Sequence, residues 1–140
     1  MNKYCKLLFG LVIVLLISCS SRNGKVIVQN FSIHDSLRIM VLLNGDQIYN
    51  DTVSKAVTNI DADARSFSFN KKEAHVKVVI PALNIAATAD SVIDELKQIV
   101  VIVKTTYKQN PNFKEGDSLF VKADEVSILL RQKVPTGKAL

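Results

Sequence analysis

The side chains in this chain that could carry chemistry are few and scattered. His34 and His75 have no second histidine at i+2 or i+4 and no neighbouring thiol, so neither stands in a metal-binding spacing, and both are expected to be solvated. Asp61-Ala62-Asp63 begins as a calcium loop does. However, its sixth position is Ser66, where the sharp turn needs glycine, and its twelfth is Lys72, where a bidentate glutamate is needed. No serine lies in a Gly-x-Ser-x-Gly elbow, the turn that exposes a nucleophile beside its base. The neighbouring acids Asp94-Glu95 and Asp124-Glu125 would point apart in a strand, whereas paired acids for glycoside cleavage must converge across about 5 to 10 Å. Five scattered glycines make no phosphate cradle. These patterns assign no catalytic residue, metal ligand or cofactor, and the expectation is a protein that is not an enzyme.

Cys19 is the exception, because of what precedes it. Lys3 and Lys6 form a basic head, and residues 7–17 are apolar apart from Gly10. Eleven residues are too few to span a hydrocarbon core of about 30 Å as a helix, which takes about 20, so a cleaved signal is favoured over an anchor helix. Leu16-Ile17-Ser18-Cys19 resembles the lipobox of bacterial lipoproteins. The resemblance implies a diacylglycerol on the Cys19 thiol and a cut between Ser18 and Cys19. It covers only the leader and implies nothing about the activity of the domain that follows. Residues 1–18 would be the signal peptide and residues 19–24 a lipidated tether. Residues 25–134 would be the domain and residues 135–140 a frayed tail. A coil as short as this tether keeps the domain within roughly 15 Å of the bilayer. The protein is then expected in the cell envelope, on the inner or the outer membrane, facing the periplasm or the cell surface.

A second pattern is repeated. Asp followed by Ser or Thr and an aliphatic residue occurs at Ser36, Thr52, Ser91 and Ser118, where nine aspartates in this composition would give about half a match by chance. The pattern is similar to the acceptor signal for O-linked glycosylation of exported proteins in one group of Gram-negative bacteria. The alternative is that Asp-Ser marks a turn leading into an apolar run.

The elements that must position these residues read as strands. The mature part has no thiol besides Cys19, so no disulfide can hold it, and a chain of this length can bury roughly 65% of its unfolded surface in one core. Residues 25–33 are expected as a strand whose apolar alternation runs through Ile27, Phe31 and Ile33, interrupted by Gln29. Leu37, Ile39, Val41 and Leu43 share a face at period 2 before Asn44-Gly45, which supplies two positive-φ residues, so residues 36–53 predict a hairpin. Residues 54–64 read as a long connection toward a second sheet. Residues 65–70, with Phe67 and Phe69 on one face, and residues 74–80 predict two strands joined by a hairpin turn at residues 70–73, the second stopped by Pro81. Within residues 82–98 the spacing of Val92, Ile93, Leu96 and Ile99, with Ser91 and Asp94 as a capping box, predicts a short helix over residues 91–98. Residues 99–107 predict a central strand covered on both sides. Residues 108–117 predict a loop, in which Phe113 is the candidate contact residue. Closing strands are expected at residues 118–122 and 126–133, joined through Ala123-Asp124-Glu125.

Seven to nine short strands with regular turn signals predict an antiparallel β-sandwich, immunoglobulin-like in broad architecture. The formal charge of +5 falls to +3 once Lys3 and Lys6 leave, too little for nucleic acid without clustered Lys or Arg. The expected role is a binding or accessory module, with the membrane reached through the lipid and a protein or glycan as partner. The alternatives are an inhibitor or immunity lipoprotein against a cell-wall-degrading enzyme or toxin, and a hydrolase whose acid pair is assembled in space.

Overall fold

A computed structural model describes residues 22–58, 61–69, 71–92 and 96–132. These form eight strands: β1 Arg22–Phe31, β2 Ser36–Leu43, β3 Asp46–Ser54, β4 Asp63–Phe69, β5 Glu73–Ile80, β6 Ile85–Val92, β7 Leu96–Gln109 and β8 Phe120–Gln132. They assemble into two four-stranded sheets, ordered β4-β1-β7-β8 and β3-β2-β5-β6. The fold is the expected β-sandwich, with one departure from antiparallel pairing. β1 and β7 run parallel in the middle of their sheet, from Lys25 beside Gln98 to Phe31 beside Lys104.

The core is what period-2 alternation sends inward. One sheet contributes Val26, Val28, Phe67, Phe69, Ile99, Val101 and Val103, the other Leu37, Ile39, Val41, Val76, Val78 and Ile80, all buried. Val100, on the opposite face of β7, is also buried, between its cross-strand neighbours Ile27 and Leu129. The β2–β3 turn forms as expected, with Asn44 at φ 54 and Gly45 at φ 92. The Asn44 side chain extends the ladder sideways, accepting from His75 N–H and donating to the Glu73 carbonyl. Gly24 has a packing role. A Cβ there would lie 2.5 Å from Phe67 Cζ, so the ring needs the missing side chain opposite it.

Several expectations are corrected. β1 begins at Arg22, so residues 22–24 are strand rather than tether. Its buried face is Val26, Val28 and Asn30, while Ile33 is exposed and Ile27 and Phe31 only half-buried. The link over residues 70–73 is not a hairpin turn. β4 and β5 belong to different sheets, and a short polar link reads the same whether it turns within a sheet or crosses between two. Helix is absent from the described part of residues 91–98. β6 runs through Val92 paired to β5 and β7 starts at Leu96, because Leu96 and Ile99 both meet the core from a strand that bulges between Leu96 and Gln98. Residues 93–95 lie outside the described residues, as does the tail over residues 135–140. A 3-10 turn at Pro81–Leu83 follows Pro81, which stops β5 as expected. The two closing strands are one, since β8 runs unbroken through Ala123-Asp124-Glu125.

The β3 and β4 edges face each other across one open side, and polar residues close it. Tyr49, Asp51, Asp63 and Arg65 all point inward, opposite Val41, Ile39, Val28 and Val26 respectively. The Tyr49 hydroxyl donates to Asp63 at 2.7 Å, Arg65 pairs with Asp51, and the Arg65 guanidinium lies over the Tyr49 ring, 5.5 Å from its centroid. Burial first, then the bond to Asp63, pushes the Tyr49 pKa above its ordinary value, so Tyr49 stays a donor. Inward charges of this kind also keep edge strands from pairing with other chains.

Candidate contact surface

β7 and β8 outrun the sandwich. The last β1 partner on β7 is Lys104, yet β7 continues to Gln109 and β8 starts opposite it at Phe120. Residues 105–109 and 120–124 therefore pair only with each other and form a two-stranded arm. Its loop, residues 110–119, is closed by backbone bonds from Asn110 N–H to Leu119 O at 2.8 Å and from Asp117 N–H to Lys114 O at 2.9 Å. Side chains reinforce it: Asn112 N–H donates to Asn110 Oδ1 at 3.0 Å and Lys114 N–H to Asp117 Oδ2 at 3.2 Å. Gly116, at φ 97, makes the turn.

The base of the arm is pinned on both faces. Inside, Asp124 accepts from the Thr105 hydroxyl and pairs with His34 Nε2 at 2.9 Å, while Ile33 N–H donates to Thr105 Oγ1 at 3.0 Å. Partial burial would raise the Asp124 carboxyl, but the hydrogen bonds of Thr105 and His34 and the charge of the imidazole outweigh it and hold the pKa below the usual range. Outside, Glu125 holds Lys108 at 2.8 Å and Lys104 at 3.7 Å, and the hydrogen bond from Lys108 lowers its pKa. Asp124 and Glu125 thus point apart, as expected of neighbours in a strand, and make no acid pair.

Beneath the pin lies Asn30, wholly buried at the end of β1. Its amide donates to the carbonyls of His34 at 3.1 Å and Val53 at 3.3 Å, and its Oδ1 accepts from Ser32 N–H at 3.1 Å and the Ser32 hydroxyl at 2.6 Å. Its backbone carbonyl accepts from Ala56 N–H at 2.6 Å. One side chain thereby ties β1 to the end of β3 and shapes the bend carrying His34.

The arm is the apolar part of the surface. Among the described residues nine large hydrophobic side chains are exposed, and five of them, Tyr107, Phe113, Leu119, Phe120 and Val121, belong to it. Tyr107 and Phe120 share a face, since Tyr107 sits opposite Lys122 and Phe120 opposite Gln109, and Val121 faces the other way beside Lys108. Phe113, the one contact candidate legible in the sequence, is at the loop and half exposed. The other four were not singled out, although the run Leu119-Phe120-Val121 next to a loop carried the signal.

The remaining candidates are dispersed. Cys19 and Ser18 lie outside the described residues. Ser36, Thr52 and Ser118 are exposed and Ser91 is half-buried on β6. Only Ser36 and Ser118 stand at a turn leading into a strand. Thr52 and Ser91 are within strands, so the turn explanation covers two of the four sites. His75, expected to be solvated, is exposed but forms a cross-strand pair with Asp90 beside an open hollow of about 410 Å³. Asp61 closes its loop by accepting from the backbone N–H groups of Thr58 at 2.8 Å and Val57 at 3.0 Å, and those bonds lower its pKa. Ser68, at the end of β4, and Lys71 line one open hollow, and the Ser68 hydroxyl donates to Asn23. Among the described residues no group of three His, Cys, Asp or Glu is placed to hold a metal ion. No protein-family model matches the chain, and no curated protein shows significant similarity to it.

Proposed function

We propose that the protein is a lipid-anchored, non-enzymatic binding or accessory module of the bacterial cell envelope, and that the β7–β8 arm is its contact surface. The observation carrying this reading is the concentration of exposed apolar side chains on an arm that stands clear of the core and has its own pinned base. The leader supports the compartment: a short apolar run ending in Leu16-Ile17-Ser18-Cys19 makes Cys19 the site of diacylglycerol attachment, facing the periplasm or the cell surface. Asp51, Asp63, Asp124 and Glu125 are each engaged by a tyrosine, arginine, threonine, histidine or lysine, which favours a structural use of these acids over an acid-pair hydrolase. The test is a photo-crosslinking amino acid in place of Phe113 or Phe120 in cells, with Lys77 on the outer face of the other sheet as control. A discrete adduct at both arm positions and none at Lys77 is the expected result. Equal adduct patterns at all three positions, or none in the arm, would overturn the assignment.

A second reading, an inhibitor or immunity lipoprotein, is favoured by the arm being only two strands wide, a shape that enters a cleft. It requires the adduct to be a single secreted enzyme or toxin that the purified protein inhibits at one-to-one stoichiometry.

A further inference from the structure

The sandwich has four edge strands, and they are not equally protected. β3 and β4 carry the inward charges Asp51, Asp63 and Arg65, and β6 is short and alanine-rich. β8 has thirteen residues, and its stretch Val126-Ser127-Ile128-Leu129-Leu130 holds no charge, proline, glycine or bulge. Among the described residues no strand pairs with its outer edge. Val126, Ile128 and Leu130 meet the core yet are only partly buried, and Leu129 on the other face is exposed. A long, apolar, unprotected edge is a template for another strand.

The sequence of the edge says which strand. Two antiparallel copies of β8 related by a two-fold axis normal to the sheet keep their faces aligned, so inward side chains can meet only inward ones. Centred on Ile128, the pairing sets Val126 opposite Leu130 and Ile128 opposite itself on the core side, and Glu125 opposite Arg131 on the outer side, twice by symmetry. Asp124 then faces Gln132. Moving the centre to Ser127 sets Asp124 against Leu130 and Glu125 against Leu129, and moving it to Leu129 sets Val126 against Gln132 and Ser127 against Arg131 and leaves Glu125 with no partner inside β8. One register satisfies both the apolar and the charged positions. We infer that β8 is a homodimer interface, joining the two β4-β1-β7-β8 sheets of a pair of copies into one eight-stranded sheet. This inference does not depend on the lipid anchor or on the arm's partner.

The experiment is the native mass of the full chain, purified in mild detergent and measured by light scattering across a dilution series. The wild type should be a dimer. Arg131→Glu, which sets two acids against each other at both ends, should weaken association about thirtyfold, taking about 1 kcal/mol for each of the two symmetry-related charge pairs at the upper end of its range. Arg131→Lys, which keeps the charge opposite Glu125 and leaves Glu125 with Lys104 and Lys108, should keep the dimer. Circular dichroism confirms that each variant keeps its strands. In a Cys5→Ala, Cys19→Ala chain, Ile128→Cys should form a disulfide-linked dimer on mild oxidation. Arg131→Cys alone should not, because its symmetry mate lies about 20 Å away along the strand. A monomeric wild type, an association indifferent to Arg131→Glu, a loss as large in Arg131→Lys as in Arg131→Glu, or equal crosslinking at both positions would each overturn the inference.

Discussion

Asn30 and Ile27 show how residue chemistry divided the readable from the unreadable in β1. Period-2 alternation placed a strand there but put the wrong face inward, because asparagine is rarely a core residue and Ile27 and Phe31 outrank it in hydrophobicity. Burial of Asn30 is possible only because both its amide hydrogens and its oxygen are satisfied, by Ser32 and His34 in the bend that follows and by the Val53 carbonyl at the end of β3, a partner remote in sequence that no local pattern reveals. Asn30→Ala should therefore destabilise the fold by about 2 to 4 kcal/mol, since it strands the Val53 carbonyl and the Ser32 hydroxyl in a dry site. Urea unfolding of the two forms measures this, and a loss below about 0.5 kcal/mol would show that water replaces the amide. The candidate histidines were equally opaque, as the carboxylates they meet come from β8 and β6.

For the elements, turn chemistry was the reliable signal and connection geometry was not. Asn44-Gly45 and Pro81 marked their boundaries correctly, because each requires one backbone conformation or lacks one donor. The break expected at Ala123-Asp124-Glu125 is continuous strand because those two acids find partners on β7 and at His34, which turns a polar interruption into the fastening of the arm. This fastening should depend on pH. The Asp124 carboxyl is held below its usual range in the fold, so its ionised form stabilises the protein above the unfolded value of about 3.9, and that contribution is lost as pH falls through the lowered folded value. Asp124→Asn should cost about 1 kcal/mol at pH 7, with the gap to wild type closing as the pH is taken below about 4. Denaturant unfolding at the two pH values reads the difference, and a gap independent of pH would contradict the assignment.

On the scale of the whole molecule, the chain enters β1 at the end of the sandwich opposite the arm. By strand rise the arm's last paired residues lie about 45 Å from Arg22. A single anchored copy can thus hold its arm well off a membrane, whereas β8 pairing turns one copy end for end and would lay an anchored pair along the surface. Anchorage itself has a direct test. Cys19→Ala should leave the protein either soluble or carrying an uncut leader, and fractionation with mass measurement distinguishes these from a mature, membrane-bound product, the result that would remove the lipid. That β strands built a sandwich was legible throughout, since alternation and regular turns demand two faces. The arm was not, because its length follows from the β1 pairing ending five residues before β7's last pairing partner, a comparison between strands remote in sequence.

The parallel pairing of β1 with β7 also sets a timetable. A chain delivered from its N-terminus presents β1 first and β7 late, and the sheet containing both cannot close around its centre until residues 98–104 have arrived. Contacts so distant in sequence make folding slow, in the range of milliseconds to seconds for all-β domains. On the export route proposed above, the β4-β1-β7-β8 sheet would be completed only after most of the chain has crossed the membrane.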